Sequence, residues 1–292
     1  RLVLVGDPDQ LPSVGAGNVF SDLIRSGRIA TVALRDIFRQ AGQSMIVRNA
    51  HLVNTGMPPQ LKNAAANDFF FLPRRDSVRL VETVVELCKT RLPDKMGIPA
   101  EELQVLTPTR RGDAGTRSLN FALQAALNPP APGKKERRFG ELTFREGDRV
   151  MQTRNDYDVI WQKEDGTAGT GIFNGDVGKI ARIDPSGELL EIVFDDRTAV
   201  YTADMLAELD MAYAMTVHKA QGSEYRGVVF VGAPCAPSLM VRGVLYTAIT
   251  RARELLVIVG DDSAVNKMAE NDRRSRRYSG LKWRLRKGGE EK

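Results

Sequence analysis

Short apolar runs alternate with helix-patterned stretches along most of the chain. Leu2-Val3-Leu4-Val5 is continuously apolar, the signature of a strand buried on both faces, and Phe69 to Leu72, Leu103 to Leu106, Gly227 to Val231 and Leu255 to Val259 repeat it. Met211 to Met215 is a further strand-like run, and Thr31 to Leu34 a short apolar one. Between them the apolar spacing becomes helical. Asn18 to Ser26 reads as a helix closed by Gly27, and Ser44 to Thr55 as a second, with Ile46, Val47, Ala50 and Val53 on one face and Gly56 at its end. Helices also follow over Asp76 to Leu92, with Val78, Val81, Val84, Val85 and Cys88 as the stripe, over Thr116 to Leu127, and over Val241 to Arg251. Strands alternating with helices of this length predict a parallel α/β sheet.

The pattern breaks in the middle. Asn128 to Gly140 is rich in Pro, Lys and Arg and reads as a loop. From Gly147 to Tyr201 the runs are short and alternating, and turn chemistry separates them: Asp165-Gly166, Asn174-Gly175-Asp176, Asp184-Pro185-Ser186-Gly187 and Asp195-Asp196. That is an all-β insert of the size of a small SH3-like barrel, placed inside an α/β domain.

Composition changes this picture little. With 292 residues, 42% of them hydrophobic, the chain can bury a core of one to two domains. The net charge of +5 invites a nucleic-acid reading, but residues 273–292 hold nine Lys and Arg against Glu290 and Glu291. The remainder carries 33 basic and 35 acidic residues, a net of −2, so the positive charge belongs to the tail. Cys88 and Cys235 are isolated, without metal or disulfide spacing, which fits a reducing, cytoplasmic setting. No apolar run approaches ~18 residues, so no membrane span is expected.

Three motifs carry the chemistry. Gly6-Asp7-Pro8-Asp9-Gln10-Leu11-Pro12-Ser13 follows the first strand. Ala212-Tyr-Ala-Met-Thr-Val-His-Lys-Ala-Gln-Gly-Ser-Glu224 ends a strand in a polar cluster, and Leu245-Tyr-Thr-Ala-Ile-Thr-Arg-Ala-Arg253 sets two arginines on a helix. In this order they resemble motifs III, V and VI of superfamily-1 helicases. Leu11 to Gly17, Phe38-Arg39-Gln40 and Ile46 to His51 narrow the resemblance to the RecD-like 5′→3′ DNA helicases, over nearly all of residues 1–272. The family fold would be RecA-like sheets flanked by helices, with the barrel inserted in the second RecA-like domain. The divisions implied are 1–29 as the end of the first such domain, 30–146 and 208–272 as parts of the second, 147–207 as the barrel, and 273–292 as a basic tail.

The resemblance implies ATP with Mg²⁺ between two RecA-like domains. It assigns γ-phosphate contact to Gln10, Arg39 and Arg251, and a nucleotide-side role to Gly222 and Glu224, the latter holding the motif VI arginine or the ribose. Thr216, His218 and Lys219 would meet DNA phosphates, since a strand turning into a helix offers an anion-binding N-terminus. Thr107, Thr109 and Arg110, at the carboxyl end of a strand, would track a single-stranded backbone. Arg253 reads as a structural salt bridge and Tyr246 as packing; Tyr157 and Trp161 could stack bases, although core packing explains Trp161 equally well. No metal site is expected within the chain: His218 lacks a second ligand. No C-terminal nuclease is expected either, because no paired carboxylates with a Lys follow residue 262.

The phosphate loop G-x-x-x-x-G-K-[ST] is missing from the sequence, and Gly175-Asp176-Val177-Gly178-Lys179 has the wrong spacing. With Arg1 already inside a strand pattern, the chain reads as the C-terminal part of a longer protein, inactive alone, with the Mg²⁺ ligands upstream. The expected partners of the intact protein are single-stranded DNA, single/double-strand junctions and unidentified repair-complex subunits. Two other readings stay open: the helicase domain of a conjugative relaxase, and a non-catalytic DNA-binding subunit.

Overall fold

A computed structural model describes residues 2–12, 15, 17–34, 44–64, 67–273 and 279–287. Arg39 and its neighbours Phe38 and Gln40, and the tail arginines Arg274, Arg276 and Arg277, lie outside the described residues. The chain divides into two bodies, one of residues 1–75 and 221–292, the other of 76–220.

The first body is built on three parallel strands, with Ala252–Gly260 between Phe69–Pro73 and Tyr225–Gly232. Val228 to Val231 and Leu255 to Val259 are all buried, which is why their sequences are unbroken apolar runs rather than alternating ones. Helices Met45–Asn54, Arg242–Ile249 and Asp262–Glu270 pack on one another. Their starts obey side-chain capping: Ser44 accepts from the Val47 N–H, Asp261 from that of Ser263, and the Asp68 carboxylate takes the N–H groups of Met45 and Ile46 at 2.8 and 3.1 Å. Asn18 caps Val19–Ser26 in the same way, and Gly27 closes that helix in the left-handed conformation, as its sequence predicts.

Two apolar runs depart from expectation. Leu2 to Val5 form no strand and are exposed, Leu2 by 84% and Val5 by 93%, and Val32 and Leu34 are likewise exposed. A buried strand exists only through a ladder with a neighbour, and among the described residues none pairs with these segments.

In the second body Leu103–Thr107 and Ala214–Thr216 pair in parallel. Helix Thr116–Leu127 packs on the latter through Asn120, which donates to the carbonyls of Met211 and Ala214 and accepts from the Ala214 N–H. The expected Asp76–Leu92 helix runs Ser77–Glu86, widens into a π-helical turn over Leu87–Arg91 and continues as Leu92–Met96. Its buried stripe is Leu80, Thr83, Val84, Leu87 and Cys88, while Val78 is exposed. Both stripes have helical spacing; the packing selected the one carrying the leucines. Burial drives the Cys88 thiol up to about 12.

The insert is a seven-stranded antiparallel sheet spanning Arg149–Gln152 to Leu209–Met211. Its hairpins fall at the expected turns. Asp195, in the two-residue loop between Phe194 and Arg197, is the one non-glycine at positive φ (54°) among the described residues. The Asn128 to Gly140 stretch is not all loop: Glu136–Phe139 pairs with Leu142–Arg145, and the Arg145 guanidinium reaches Glu136 at 2.6 Å. Its charged residues masked a strand. At the root of the insert the buried Asp148 carboxylate accepts from Gln124, Asn128, Tyr213 and the Arg145 N–H at 2.6–2.8 Å. Gln124 lies on the helix before the insert and Asn128 caps that helix, Arg145 ends the two-stranded hairpin that precedes the insert, and Tyr213 follows the insert's last strand. Burial raises the Asp148 pKa despite them.

Candidate nucleotide and nucleic-acid sites

In the first body the Gly6 to Pro12 segment lies against helix Arg242–Ile249 and the turn that follows it. Arg251, 5% exposed, directs its guanidinium to oxygens only: Nε to the Thr247 carbonyl at 3.2 Å, Nη1 to the Ser223 carbonyl at 2.8 Å, and Nη2 to Gln10 Oε1 at 3.0 Å and Thr250 Oγ1 at 3.3 Å. Each acceptor is neutral, and no carboxylate among the described residues forms an ion pair with it. Gln10 Nε2 donates to Asp7 Oδ2 at 3.2 Å, and Tyr246 Oη donates to the same oxygen at 2.9 Å. Leu11 is held at both backbone atoms: its N–H donates to Thr247 Oγ1 at 2.9 Å, and its carbonyl accepts from Gln221 Nε2. Burial, and then Asp7 beside it, raise the Tyr246 pKa, so the phenol stays a donor.

In the second body the Thr107 to Arg111 loop folds tightly against Gly115, where a Cβ would strike the carbonyls of Arg110 and Arg111 at 2.6 Å. Thr107 is fully buried and donates to the Ala114 carbonyl at 2.8 Å; Thr109 donates to the Arg111 carbonyl at 3.3 Å. Arg110 is exposed and pairs with Asp210 at 3.2 Å. Lys219 Nζ donates to Asn174 Oδ1, the Asn174 N–H to Asn155 Oδ1 at 3.0 Å, and Asn155 to Tyr157 Oη at 3.4 Å. Tyr157, 65% exposed, stands edge-on to the half-exposed Phe173 with ring centroids 5.5 Å apart. Partial burial, with Arg110 nearby, lowers the Lys219 pKa.

Three family models match the chain. Residues 119–194 match the SH3 domain of ATP-dependent RecD-like DNA helicases, 211–259 the UvrD-like helicase C-terminal domain, and 1–72 an AAA domain. The ATP-dependent RecD2 DNA helicase of Deinococcus radiodurans is 35% identical over 276 residues, which cover 94% of this chain and 35% of that protein. The RecBCD enzyme subunit RecD of Mycolicibacterium smegmatis is 31% identical over 299 residues, 99% of this chain and 50% of the relative. Residues 119–194 match a domain of RecD-like helicases, and over nearly its whole length the chain is similar to RecD-like helicases. It thus spans between about a third and half of the length of these relatives. A crystal structure of the Pif1 helicase from Bacteroides in complex with ADP-AlF3 and single-stranded DNA aligns with a TM-score of 0.47 at 18% identity, covering 90% of this chain and 62% of that one.

The chain brings Gln10 and Arg251 together. Glu224 is exposed, and the motif VI arginine is held by the Ser223 carbonyl instead. Gly222 is exposed with φ 84°. The residues after Thr216 form successive turns and no helix, so the expected helix N-terminus is missing; the left-handed Gly222 and a strand resuming at Tyr225 leave it no room. Thr216 pairs with Thr107 in the sheet, and His218 is exposed. Thr107 is turned inward and shapes the loop, not its surface. Arg253 is exposed, and the ion pair at that strand end is Arg226–Glu254 at 2.7 Å. Trp161 packs over Gly169, where a Cβ would collide with the indole, and under the Arg197 guanidinium at 5.9 Å, so its faces are covered. Sequence reasoning missed Asp7, Thr247, Gln221, Asn174 and Phe173. All but Phe173 lie in turns or motifs already singled out, and their donor or acceptor groups were the available signal. Among the described residues no cluster of three His, Cys, Asp or Glu is placed to hold a metal, and no helix is long and apolar enough to cross a membrane.

Proposed function

We propose that the intact protein is an ATP-dependent DNA helicase moving 5′→3′ on single strands, and that this chain contributes the arginine side of its nucleotide site and part of its DNA track. The buried Arg251 carries the reading. A cation taken out of water is costly unless an anion compensates it, and Arg251 is surrounded by neutral oxygens alone. Its planar fork suits a phosphate, and the neutral Gln10 beside it adds a group able to sense one. These residues fit the γ-phosphate end of ATP and, with the phosphate loop missing from the sequence, that end alone. ATP with Mg²⁺ would supply the phosphoryl group and its charge neutralisation; Gln10 and Arg251 would orient and stabilise it, with Arg39, Gly222 and Glu224 as further nucleotide-side residues.

For DNA, Thr109, Arg110, Thr216, His218 and Lys219 supply hydroxyls and cations for a phosphate backbone. The exposed Tyr157–Phe173 pair, joined to Lys219 through Asn174 and Asn155, supplies a face on which a base can stack. Single strands and junctions are the substrates this set suits. The test is strand displacement by the intact protein on duplexes with a 5′ or a 3′ single-stranded tail. ATP-dependent separation of the 5′-tailed substrate is expected; separation of the 3′-tailed one alone, or DNA binding without ATP hydrolysis, overturns the reading.

A further inference from the structure

We infer that Asp7, Tyr246 and Thr247 are positioning residues that fix the Gln10 carboxamide, in location and in polarity, against Arg251. This rests on the nucleotide reading of Gln10 and Arg251 and adds to it residues that touch no nucleotide.

A glutamine amide has an acceptor end and a donor end, and its neighbours decide which faces where. Gln10 lies between a donor-only guanidinium and an acceptor-only carboxylate. With Nε2 on Asp7 at 3.2 Å, Oε1 must face Arg251, at 3.0 Å. The flipped amide would oppose donor to donor at one end and oxygen to oxygen at the other. Asp7 therefore sets the polarity of Gln10. Asp7 is itself held, by the Tyr246 phenol on one oxygen at 2.9 Å and by the Asp9 N–H on the other at 2.9 Å. The far side of Gln10 is anchored where the Leu11 N–H meets the fully buried Thr247 hydroxyl. Tyr246 and Thr247 are consecutive on the helix Arg242–Ile249, and Arg251 lies one turn beyond Thr247 and binds its carbonyl. One rigid element thus measures out both anchors of the Gln10 turn and the arginine that Gln10 faces. An alignment set this way can exchange the Gln10 carbonyl for a phosphate oxygen at Arg251 with little reorganisation.

The experiment uses the intact protein and reads kcat and KM for DNA-stimulated ATP hydrolysis, melting temperature and nucleotide-free DNA affinity. Tyr246→Phe and Thr247→Val should each lower kcat about three- to tenfold, the effect of one lost hydrogen bond, with KM for ATP and DNA affinity changed by less than about twofold. Thr247→Ser should restore the rate. In a Gln10→Ala background Tyr246→Phe should cost nothing further, since its effect passes through Gln10. An equal cost in both backgrounds, or a normal kcat in Tyr246→Phe at normal melting temperature, overturns the inference. A lowered melting temperature with kcat intact also overturns it. Arg251→Ala separates this from the underlying reading: if that variant hydrolyses ATP normally the nucleotide assignment fails, whatever Tyr246 does.

Discussion

Arg251 and Arg110 are both candidates for phosphate contact, and their surroundings differ in kind. Arg251 is buried among neutral oxygens, its fork held at every nitrogen. Arg110 is exposed and paired with Asp210. A buried cation without a carboxylate is costly in the free protein and gains most when one anion arrives in one geometry. An exposed ion pair contributes at most about 1 kcal/mol and can exchange its carboxylate for any passing phosphate. The first arrangement suits a chemical step and the second a sliding contact.

The comparison breaks most visibly if the two arginines behave alike when removed from the intact protein. Arg251→Ala should cost roughly 10³–10⁵ in ATP turnover, the usual weight of an arginine on a transferring phosphoryl group. Its DNA affinity without nucleotide should stay within about twofold of wild type, as measured by fluorescence anisotropy; a loss of DNA binding with a lowered melting temperature would make Arg251 structural.

Stacking and charge can be separated next. Tyr157→Ala should weaken single-strand binding by about 1–3 kcal/mol, or roughly 5- to 150-fold, without changing its salt dependence. An unchanged affinity would remove Tyr157 from the track.

The smallest expected effect sharpens the exposed side. Arg110→Ala with Lys219→Ala should reduce the slope of log affinity against log salt by roughly 1.4, at about 0.7 for each single-strand phosphate contact. Because desolvation lowers the Lys219 pKa, its share of binding should fade as pH rises, and below the pH at which an ordinary lysine loses its charge. A salt slope equal to wild type would remove both residues from the track.

Much of this was legible in the residue pattern. The buried parallel strands announce themselves as Val228 to Val231 and Leu255 to Val259, because burial on both faces leaves no polar position to interrupt them. The hairpins announce themselves as Asp165-Gly166, Asp184 to Gly187 and Asp195-Asp196, because Gly and Asp accept positive φ at lower cost than most residues. The motif order alone indicated the helicase family. Where two patterns were equally helical, as with the Val78 and Leu80 stripes, the periodicity held the helix but not its buried face.

The sequence by itself determined the central strands and most of the helices, the inserted β region and the residue types of the two sites, since periodicity, turn chemistry and motif spacing are local properties. It did not determine the segments at Leu2 to Val5, Thr31 to Leu34, Glu136 to Phe139 and after Thr216. Tertiary structure alone decided which of those residues can act. Thr107 and Arg110 sit three positions apart, at a strand end and in the loop that follows it, yet one is fully buried and bonded to Ala114 while the other faces solvent. Gln10 and Arg251 are 241 positions apart and share a hydrogen bond at 3.0 Å. Burial and the direction of a donor depend on what the rest of the chain brings alongside, and no local pattern encodes that.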